Sequence, residues 1–334
     1  MHKDGIRTHM MTRRIIISFL ILLSLAIITL VVLDIRKSRT DRRPANPYDL
    51  NLDELAEVDP SLVRYQETLD LKLDDSEKKG IAYGMGKIWL IGENYLLVLS
   101  PEGVMLGKIP LPESPYCITV YHSDIYVGFK NKIRVYDPDG RETRTWQVAG
   151  DSTLLTSLAA RDSLLFAADA GNRRVLRFST GGSYLGEFDG KREAGDLHGF
   201  IVPSGWFDLA FAPDGELWVV NPGLHALENY TTEGKLRGYW EKGSTGIEGF
   251  SGCCGPAHIA FLPDGSFVTS EKGMVRIKVH RASGELESVV APPALFENGY
   301  YAPDLAVGDR GEIYALDFDR KRIRIFERKT ESRL

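Results

Sequence analysis

Six residues hold equivalent positions at the start of six similar apolar segments of the sequence. They are Gly80, Cys117, Ser157, Asp208, His258 and Asp304. Imidazole, thiolate and carboxylate groups are common ligands of transition metals, so a ring containing His258, Cys117, Asp208 and Asp304 is a candidate metal site. The alternative is a polar ring that holds only water, and the sequence leaves both open.

Cys253 and Cys254 are adjacent in the chain and form a second candidate group. In an oxidising compartment, adjacent cysteines can form a strained disulfide, and strained disulfides are the more easily reduced ones. As thiolates they can also bind a soft metal, with His258 or Cys117 as a further ligand. The third alternative is that they are small buried residues that support their loop.

Polar residues that follow the ends of apolar segments form a third group, expected on one face of the fold. The predicted binding residues among them are Asp169, Arg173, His198, Glu271, Lys272 and Arg276. Such side chains either contact a ligand or brace loops by hydrogen bonds. For any single residue of this group, bracing is the commoner role.

A repeated unit of short strands must position these groups. Its clearest copies are residues 209–219, 259–268 and 305–314, each with an apolar strand, a glycine turn and a second strand. Equivalent first turns at Gly86, Asp124 and Asp162 bring the number of units to six, spaced by about 38 to 53 residues, as in propeller blades. The sequence therefore predicts an all-β, six-bladed β-propeller over residues 65–328.

The last unit lacks a strand, and an earlier segment is available to replace it. Five units contain a second turn, which ends at Gly103, Gly140, Gly182, Gly234 or Gly284. The sixth unit stops after residues 322–326, whereas the alternating segment Tyr65–Leu73 stands alone before the first unit. We predict that this segment completes the sixth blade, because closure of the ring removes an exposed sheet edge.

Two segments resemble the NHL repeat, in which a strand that ends in Ala-Asp is followed by an Asn-x-Arg-Val turn. Residues 168–178 (ADAGNRRVLRF) carry this pattern, and residues 316–326 (LDFDRKRIRIF) carry a weaker form. Residues 251–256 (SGCCGP), followed by residues 269–273 (TSEKG), also resemble uncharacterised, membrane-anchored bacterial NHL proteins. The resemblance implies a bacterial NHL-type propeller.

This resemblance implies little about activity, because NHL propellers serve mainly as binding platforms and less often as enzymes. In metal-dependent six-bladed relatives the ligands tend to fall one position before the six equivalent residues named above. In this chain the residues at those six positions are Lys79, Tyr116, Thr156, Phe207, Ala257 and Pro303, and none of them is a histidine or an acidic residue. The resemblance therefore favours a binding protein over a metal-dependent enzyme.

The run from Ile15 to Leu33 contains no charged residue. At about 1.5 Å per residue it spans roughly 28 Å as a helix, close to the thickness of a bilayer core. It predicts an N-terminal transmembrane anchor (15–33) after a short flank (1–14), and a tether (34–64) before the propeller and a C-terminal tail (329–334). Basic residues flank the run on both sides, so their distribution does not determine its orientation in the membrane. Because N-terminal anchors commonly direct export, we predict that the propeller lies outside the cytoplasm.

The chain of 334 residues has a net charge of −5 and a pI of about 5.9, which argues against a nucleic-acid partner. It contains no Walker loop, nucleophile elbow or zincin motif. The long loops between blades are expected on one face of the propeller, here called the loop-rich face. The preferred hypothesis is a membrane-tethered, extracytoplasmic propeller, periplasmic or on the cell surface, that binds a protein, peptide or glycan on this face. The alternative is a metal- or cysteine-dependent enzyme or redox protein that uses the channel mouth. No cofactor other than this possible metal is indicated.

Overall fold

The computed structural model describes residues 17–34, 56–74, 78–191, 199–252, 255–296 and 300–330. The chain divides into two compact units, Met1–Asn51 and Leu52–Leu334. His198, Cys253 and Cys254 lie outside the described residues, so the roles given to them above stay predictions.

The first unit contains helix α1, Ile17–Asp34, with all of its side chains exposed. By length and composition this is the one helix among the described residues that is able to cross a membrane. A signal sequence has the same properties near an N-terminus. The structure thus confirms an apolar N-terminal helix as a candidate transmembrane span.

The second unit consists of six four-stranded antiparallel sheets. Each sheet is one blade of a propeller, and its first strand lines the central channel. The three inner strands of a blade are mostly buried, whereas the outer strand alternates between exposed and half-buried residues, as in β9 (Glu142–Gln147). This arrangement confirms the predicted all-β, six-bladed propeller.

The strands are numbered in chain order and given from the channel outward. Blade 1 is formed by β2 (Lys78–Gly84), β3 (Lys87–Gly92), β4 (Tyr95–Leu99) and β5 (Met105–Pro110). Blade 2 is formed by β6 (Cys117–Tyr121), β7 (Asp124–Gly128), β8 (Lys132–Tyr136) and β9. Blade 3 is formed by β10 (Leu155–Arg161), β11 (Leu164–Asp169), β12 (Arg174–Ser179) and β13 (Tyr184–Phe188). Blades 4 to 6 are formed by β14 (Leu209–Phe211), β15 (Leu217–Asn221), β16 (Ala226–Tyr230) and β17 (Leu236–Glu241); β18 (His258–Phe261), β19 (Phe267–Glu271), β20 (Arg276–His280) and β21 (Leu286–Ala291); and β22 (Asp304–Val307), β23 (Ile313–Asp317), β24 (Arg322–Arg328) and β1 (Tyr65–Lys72). Short 3₁₀ turns occur at Pro60–Leu62, Pro222–Leu224 and Pro293–Leu295.

The ring closes through β1, as the missing sixth turn predicted. Strand β1 pairs antiparallel with β24, from Tyr65 opposite Arg328 to Lys72 opposite Arg322. The Leu73 amide continues the pairing with a hydrogen bond to the Lys321 carbonyl. Segments from both ends of the propeller therefore share one sheet.

The hydrophobic core consists of six clusters, and each cluster fills one interface between neighbouring blades. At the interface of blades 1 and 2, for example, Trp89 and Ile91 pack with Ile118 and Val127. Every blade is apolar on both faces, which explains why the inner strands read as nearly continuous apolar runs. The blades thus stabilise one another around the ring.

In blades 1 to 5, the second turn packs against the outer strand of the preceding blade. Gly284 has φ 88°, and a Cβ atom there would lie 2.2 Å from Trp240. Gly140, Gly182 and Gly234 meet the outer strands of their own preceding blades in the same way. These turns need glycine for both the positive φ and the close approach.

Candidate functional site

The six equivalent residues, here called the inner ring, lie at the end of the channel where the first strands begin. Cys117, His258 and Asp304 are the first residues of β6, β18 and β22, and Asp208 directly precedes β14. All members except Gly80 line a hollow of about 300 Å³ along the inner strands. A Cβ atom added at Gly80 would lie 3.4 Å from Asp304 Oδ2, so Gly80 borders the ring as well.

His258 lies between the two carboxylates of the inner ring. Its Nδ1 atom is 3.2 Å from Asp304 Oδ1 and 3.5 Å from Asp208 Oδ2. These residues belong to blades 6, 5 and 4, so the ion pairs connect three neighbouring blades. The sequence analysis identified these residue types, and the fold brings them into contact.

The inner-ring carboxylates also bind backbone amides of the next blade. Asp208 Oδ2 accepts a hydrogen bond from Ile259 N at 2.9 Å, and Asp304 Oδ2 accepts one from Ile81 N at 2.9 Å. Ser157 Oγ lies 3.3 Å from both the N and the O atom of Leu209. Much of the hydrogen-bonding capacity of the ring is therefore used to join blades.

The charges of the inner ring shift the pKa values of its members. Burial disfavours a charge on His258, but the carboxylates of Asp304 and Asp208 outweigh this effect and raise the pKa of the imidazole. Burial also raises the pKa of Asp304, although His258 opposes the change. The two carboxyl groups thus favour the charged form of the imidazole between them.

The thiol of Cys117 is buried and is not available to bind a ligand. Its Sγ atom would lie 2.3 Å from a Cβ atom added at Gly128, its partner on β7, and the side chain belongs to the cluster between blades 2 and 3. Burial raises the pKa of the thiol far above its usual range, and Asp208 and Asp304 add to the effect. A buried, protonated thiol is a poor metal ligand and a poor nucleophile.

Above the inner ring lies a larger cavity of about 650 Å³, here called the mouth cavity. It opens at the end of the channel where the first strands begin, on the loop-rich face. Its lining residues are Lys79, Tyr116, Leu154, Thr156, Gly205, Trp206, Phe207, His258, Tyr301, Asp317, Phe318 and Lys321. A volume of this size suits a small organic group.

Aromatic rings form much of the wall of the mouth cavity. The centroid of Trp206 lies 5.1 Å from that of His258, 6.1 Å from that of Tyr301 and 6.2 Å from that of Phe318. On another part of the wall, the Lys79 ammonium lies 5.1 Å from the Tyr116 ring centroid and donates to Ser114 Oγ. Tyr116 and Tyr301 are 39% and 47% exposed, which places them at the rim.

Two polar atoms at the mouth cavity are buried and have no hydrogen-bond partner among the described residues. They are His258 Nε2 and Asp317 Oδ2. The Asp317 side chain is 3% exposed, its Oδ1 accepts from Arg320 N, and Arg324 Nη1 lies 3.6 Å from its Oδ2. Burial raises the pKa of Asp317. Both residues border the mouth cavity, although these two atoms are themselves buried.

Hydrogen bonds hold the aromatic wall in place. Thr156 Oγ1 donates to the Phe207 carbonyl at 2.6 Å, and Lys272 Nζ donates to Ser204 Oγ at 3.3 Å. Asp319 Oδ2 accepts from the amides of Tyr300 and Tyr301. Lys272, a predicted binding residue, therefore supports the loop that carries Trp206.

Asp169 braces a loop. Its carboxylate is fully buried and accepts hydrogen bonds from Leu154 N, from the Asn172 side chain and from Arg174 Nε at 3.0 Å. Its neighbour Arg173 is exposed, with φ 54°. The structure thus favours bracing over ligand contact for Asp169.

Glu271 and Arg276 form a buried ionic cluster with Lys278. Glu271 Oε1 lies 2.8 Å from Arg276 Nε and 2.7 Å from Lys278 Nζ, and all three side chains are fully buried. Both cations also donate to the Gly249 carbonyl, and Glu271 Oε2 accepts from Ser251 N. The cluster fixes the connection between blades 4 and 5 rather than facing the mouth cavity.

The geometry does not favour a metal at the inner ring. Among the residues that the structure describes, no three histidine, cysteine or acidic side chains form a group able to hold a metal ion. The reason lies in the contacts above, since backbone amides and His258 already occupy the carboxylate oxygens and the thiol of Cys117 faces the core.

Several cavity residues were absent from the predicted binding set, namely Lys79, Tyr116, Trp206, Tyr301, Asp317, Phe318 and Lys321. Trp206, Tyr301, Phe318 and Lys321 lie in turns or loops, and the sequence does not reveal which way their side chains point. One signal was available, because the column that begins with Lys79 and Tyr116 directly precedes the inner ring and must therefore lie above it.

Comparison with solved structures finds the same architecture in other propellers. A streptogramin B lyase matches with a TM-score of 0.57 and 16% identity over 79% of this chain and 98% of that one. A catalytically inactive virginiamycin B lyase from Staphylococcus aureus with quinupristin has a TM-score of 0.56 and 17% identity, over 80% and 89%. The WD40 propeller domain of Doa1 has a TM-score of 0.53 and 12% identity, over 80% and 98%.

At these identities the likeness shows the propeller fold alone. No protein-family model matches the chain, and no curated protein matches it. Membership of the NHL family therefore stays a prediction from residues 168–178 and 316–326.

Proposed function

We propose that this chain is a membrane-anchored, NHL-type propeller that binds a protein, peptide or glycan outside the cytoplasm, on its loop-rich face. The observation that carries the proposal is the mouth cavity, which combines aromatic walls with the polar side chains of Lys79, His258 and Asp317. Cavities of this kind are the usual binding sites of rigid scaffolds. Helix α1 supplies the membrane anchor in this proposal, and export follows from its place near the N-terminus.

Photo-cross-linking in intact cells tests this proposal on the full chain. A benzophenone amino acid replaces Tyr301, which is 47% exposed at the cavity rim, or Tyr184, which is 56% exposed on the outer strand β13. We expect a covalent adduct from position 301 and none from position 184, because the two sites are similarly exposed but only one borders the cavity. No adduct at 301, or equal yields at both positions, contradicts the proposal.

Acid–base catalysis at the same cavity is a second candidate. The two carboxylates orient His258 through Nδ1, its side chain lines the cavity, and a histidine held in this way is a candidate proton donor. In support, two of the proteins that share the fold are described as lyases. Incubation of the captured ligand with purified protein tests this, since a ligand recovered unchanged by mass spectrometry excludes turnover.

A further inference from the structure

We infer that a groove on the opposite face of the propeller binds a basic side chain, that of an arginine or lysine, from a partner polypeptide. The groove has a volume of about 300 Å³ and lies between the first turns of blades 4 and 5, residues 212–215 and 263–265. First turns follow the first strands, so they lie at the end of the channel away from the loop-rich face. We call this end the turn face. The groove is therefore separate from the mouth cavity and from the function proposed there.

The lining of the groove is largely aromatic. Trp218 and Phe261 are half-buried, and their ring centroids lie 6.3 Å apart. The centroid of the buried Phe267 lies 6.2 Å from that of Trp218 and 6.3 Å from that of Phe261. The exposed Pro213 and Pro263 add further apolar surface. A long basic side chain has an apolar stem and a cation that aromatic faces attract, so both of its parts suit this surface.

Two carboxylates on the same lining have no cation of their own. Asp214 Oδ1 accepts from Glu216 N at 3.0 Å, and Asp264 Oδ1 accepts from Ser266 N at 2.9 Å. The residues that the structure describes offer neither Oδ2 atom a hydrogen bond or an ion pair. Each carboxylate therefore keeps one oxygen for a donor that comes from outside the chain.

Carboxylates elsewhere on the turn face show the contrast. In the first turn of blade 2, Asp124 forms an ion pair with Arg144. In that of blade 6, Glu312 Oε1 lies 2.7 Å from Arg310 Nη2. The chain thus supplies arginines to acidic groups at equivalent turns, and the groove lacks this internal partner.

The basic residues around the groove do not neutralise it. Arg328 is held by Glu287 at 2.5 Å, which leaves this pair without net charge. Arg161 Nη1 and Nη2 donate to the Ala212 and Pro213 carbonyls at 2.8 and 3.0 Å. One cation without a carboxylate thus stands beside two carboxylates without a cation, and the groove keeps a negative charge.

This charge decides between possible occupants of the groove. An apolar side chain would gain the aromatic contacts but bring no charge opposite the carboxylates, and an anion would be repelled. A small cation would satisfy the charge and leave much of the apolar lining uncovered. A basic side chain meets both requirements. Because the carboxylates are exposed, water and salt screen the attraction, so a single side chain binds weakly and the partner must add contacts around it.

Saturation-transfer NMR on the full chain in phosphatidylcholine nanodiscs, at about 0.15 M salt, tests the groove. The probe is a capped peptide of sequence GRARG. Its matched control replaces both arginines by citrulline, which has nearly the same shape and no charge. We expect transfer to the arginine methylene protons, a dissociation constant in the millimolar range or below, and binding of the citrulline peptide that is weaker by about tenfold or more.

Two pairs of substitutions locate the binding. Asp214→Asn with Asp264→Asn keeps the Oδ1 atoms that accept from the turn amides, and we expect it to weaken binding by about tenfold or more. Glu102→Gln with Asp139→Asn removes two exposed carboxylates from second turns on the same face, so it changes the net charge equally. We expect this control pair to leave binding unchanged. Thermal unfolding of each variant shows whether it is folded.

Three results overturn the basic side chain: no transfer to GRARG, equal binding of the citrulline peptide, or equal losses in the two pairs of substitutions. Choline and N-acetylphenylalanine amide are the probes for other occupants. Binding of either one without binding of GRARG assigns the groove to a small cation or to an apolar group. Light scattering of the detergent-solubilised chain tests a second copy, since a dimer that the groove pair of substitutions abolishes assigns the groove to self-association instead.

Discussion

His280 makes this propeller sensitive to acid. The side chain is fully buried, and its ring stacks on Phe267 at 5.2 Å between centroids and lies 5.0 Å from Trp240. Nδ1 lies 3.3 Å from the Gly284 carbonyl, and Nε2 has no partner among the described residues. Burial, reinforced by the charge of Lys278, lowers the pKa of His280 to about 3.

The sign and size of the effect follow from this lowered pKa. The unfolded chain takes up a proton on this histidine near pH 6.5, whereas the folded chain stays neutral until about pH 3. Stability is therefore complete above pH 6.5 and falls between the two values by about 1.4 kcal/mol per pH unit. Acidification from pH 7.5 to pH 5 then costs about 2 kcal/mol at this residue.

Replacement of the imidazole by a ring that cannot titrate removes this term. In His280→Phe we expect the difference in unfolding free energy between pH 7.5 and pH 5 to shrink by about 2 kcal/mol. Urea titration of the full chain at the two pH values, followed by tryptophan fluorescence, measures it. The control is His122→Asn, an exposed turn position with φ 53° that asparagine tolerates. The same pH dependence in wild type and His280→Phe would refute the reasoning.

Three further predictions concern closure, the buried ionic cluster and the inner ring. A chain that begins at residue 74 loses β1 and the buried side chains of Tyr65 and Leu73. We expect it to be less stable by about 3–6 kcal/mol than a chain that begins at residue 56. Equal melting temperatures of the two chains would contradict the closure. Glu271→Gln leaves two buried cations without their anion and should cost about 3–5 kcal/mol in urea titration, against under about 0.5 kcal/mol for the exposed Glu285→Gln; similar costs would show that the cluster is not held together by charge. The raised pKa of His258 stabilises the fold below pH 6.5, and this contribution is lost as the pH rises through the pKa of the folded state. An alkaline titration of the unfolding free energy should show the loss in wild type but not in His258→Gln. The same loss in both proteins would exclude His258 as the source.

The sequence predicted the ring of blades because each strand and turn carries a local signal. Glycine turns such as those at Gly215 and Gly265 recur with the spacing of blades, and a missing turn indicated the role of Tyr65–Leu73. The inner ring followed as well, since a position counted from a turn keeps its place in every blade. Local periodicity therefore sufficed for the scaffold.

The direction of side chains in loops was beyond that reasoning. Asp169 and Glu271 end strands on the loop-rich face, as a ligand-binding carboxylate would, yet both turn inward to pair with arginines nearby in the chain. Trp206 and Phe318 were absent from the predicted binding set, although they line the mouth cavity. Which way such a side chain points depends on contacts between distant segments, and these have no local sequence pattern.

The pairing of β1 with β24 also determines how the propeller experiences mechanical load. In an anchored chain, any tension from the membrane first meets the residues just before β1. Val63 pairs there with Val289 of blade 5, and the Lys329 amide donates to the Arg64 carbonyl. These contacts must open before the force reaches Tyr65 and the pairing of β1 with β24. Blade 6 thus takes up this force on its outermost strand, β1. Its innermost strand, β22, begins at Asp304, so force on the tether and occupancy of the mouth cavity act on opposite edges of the same sheet.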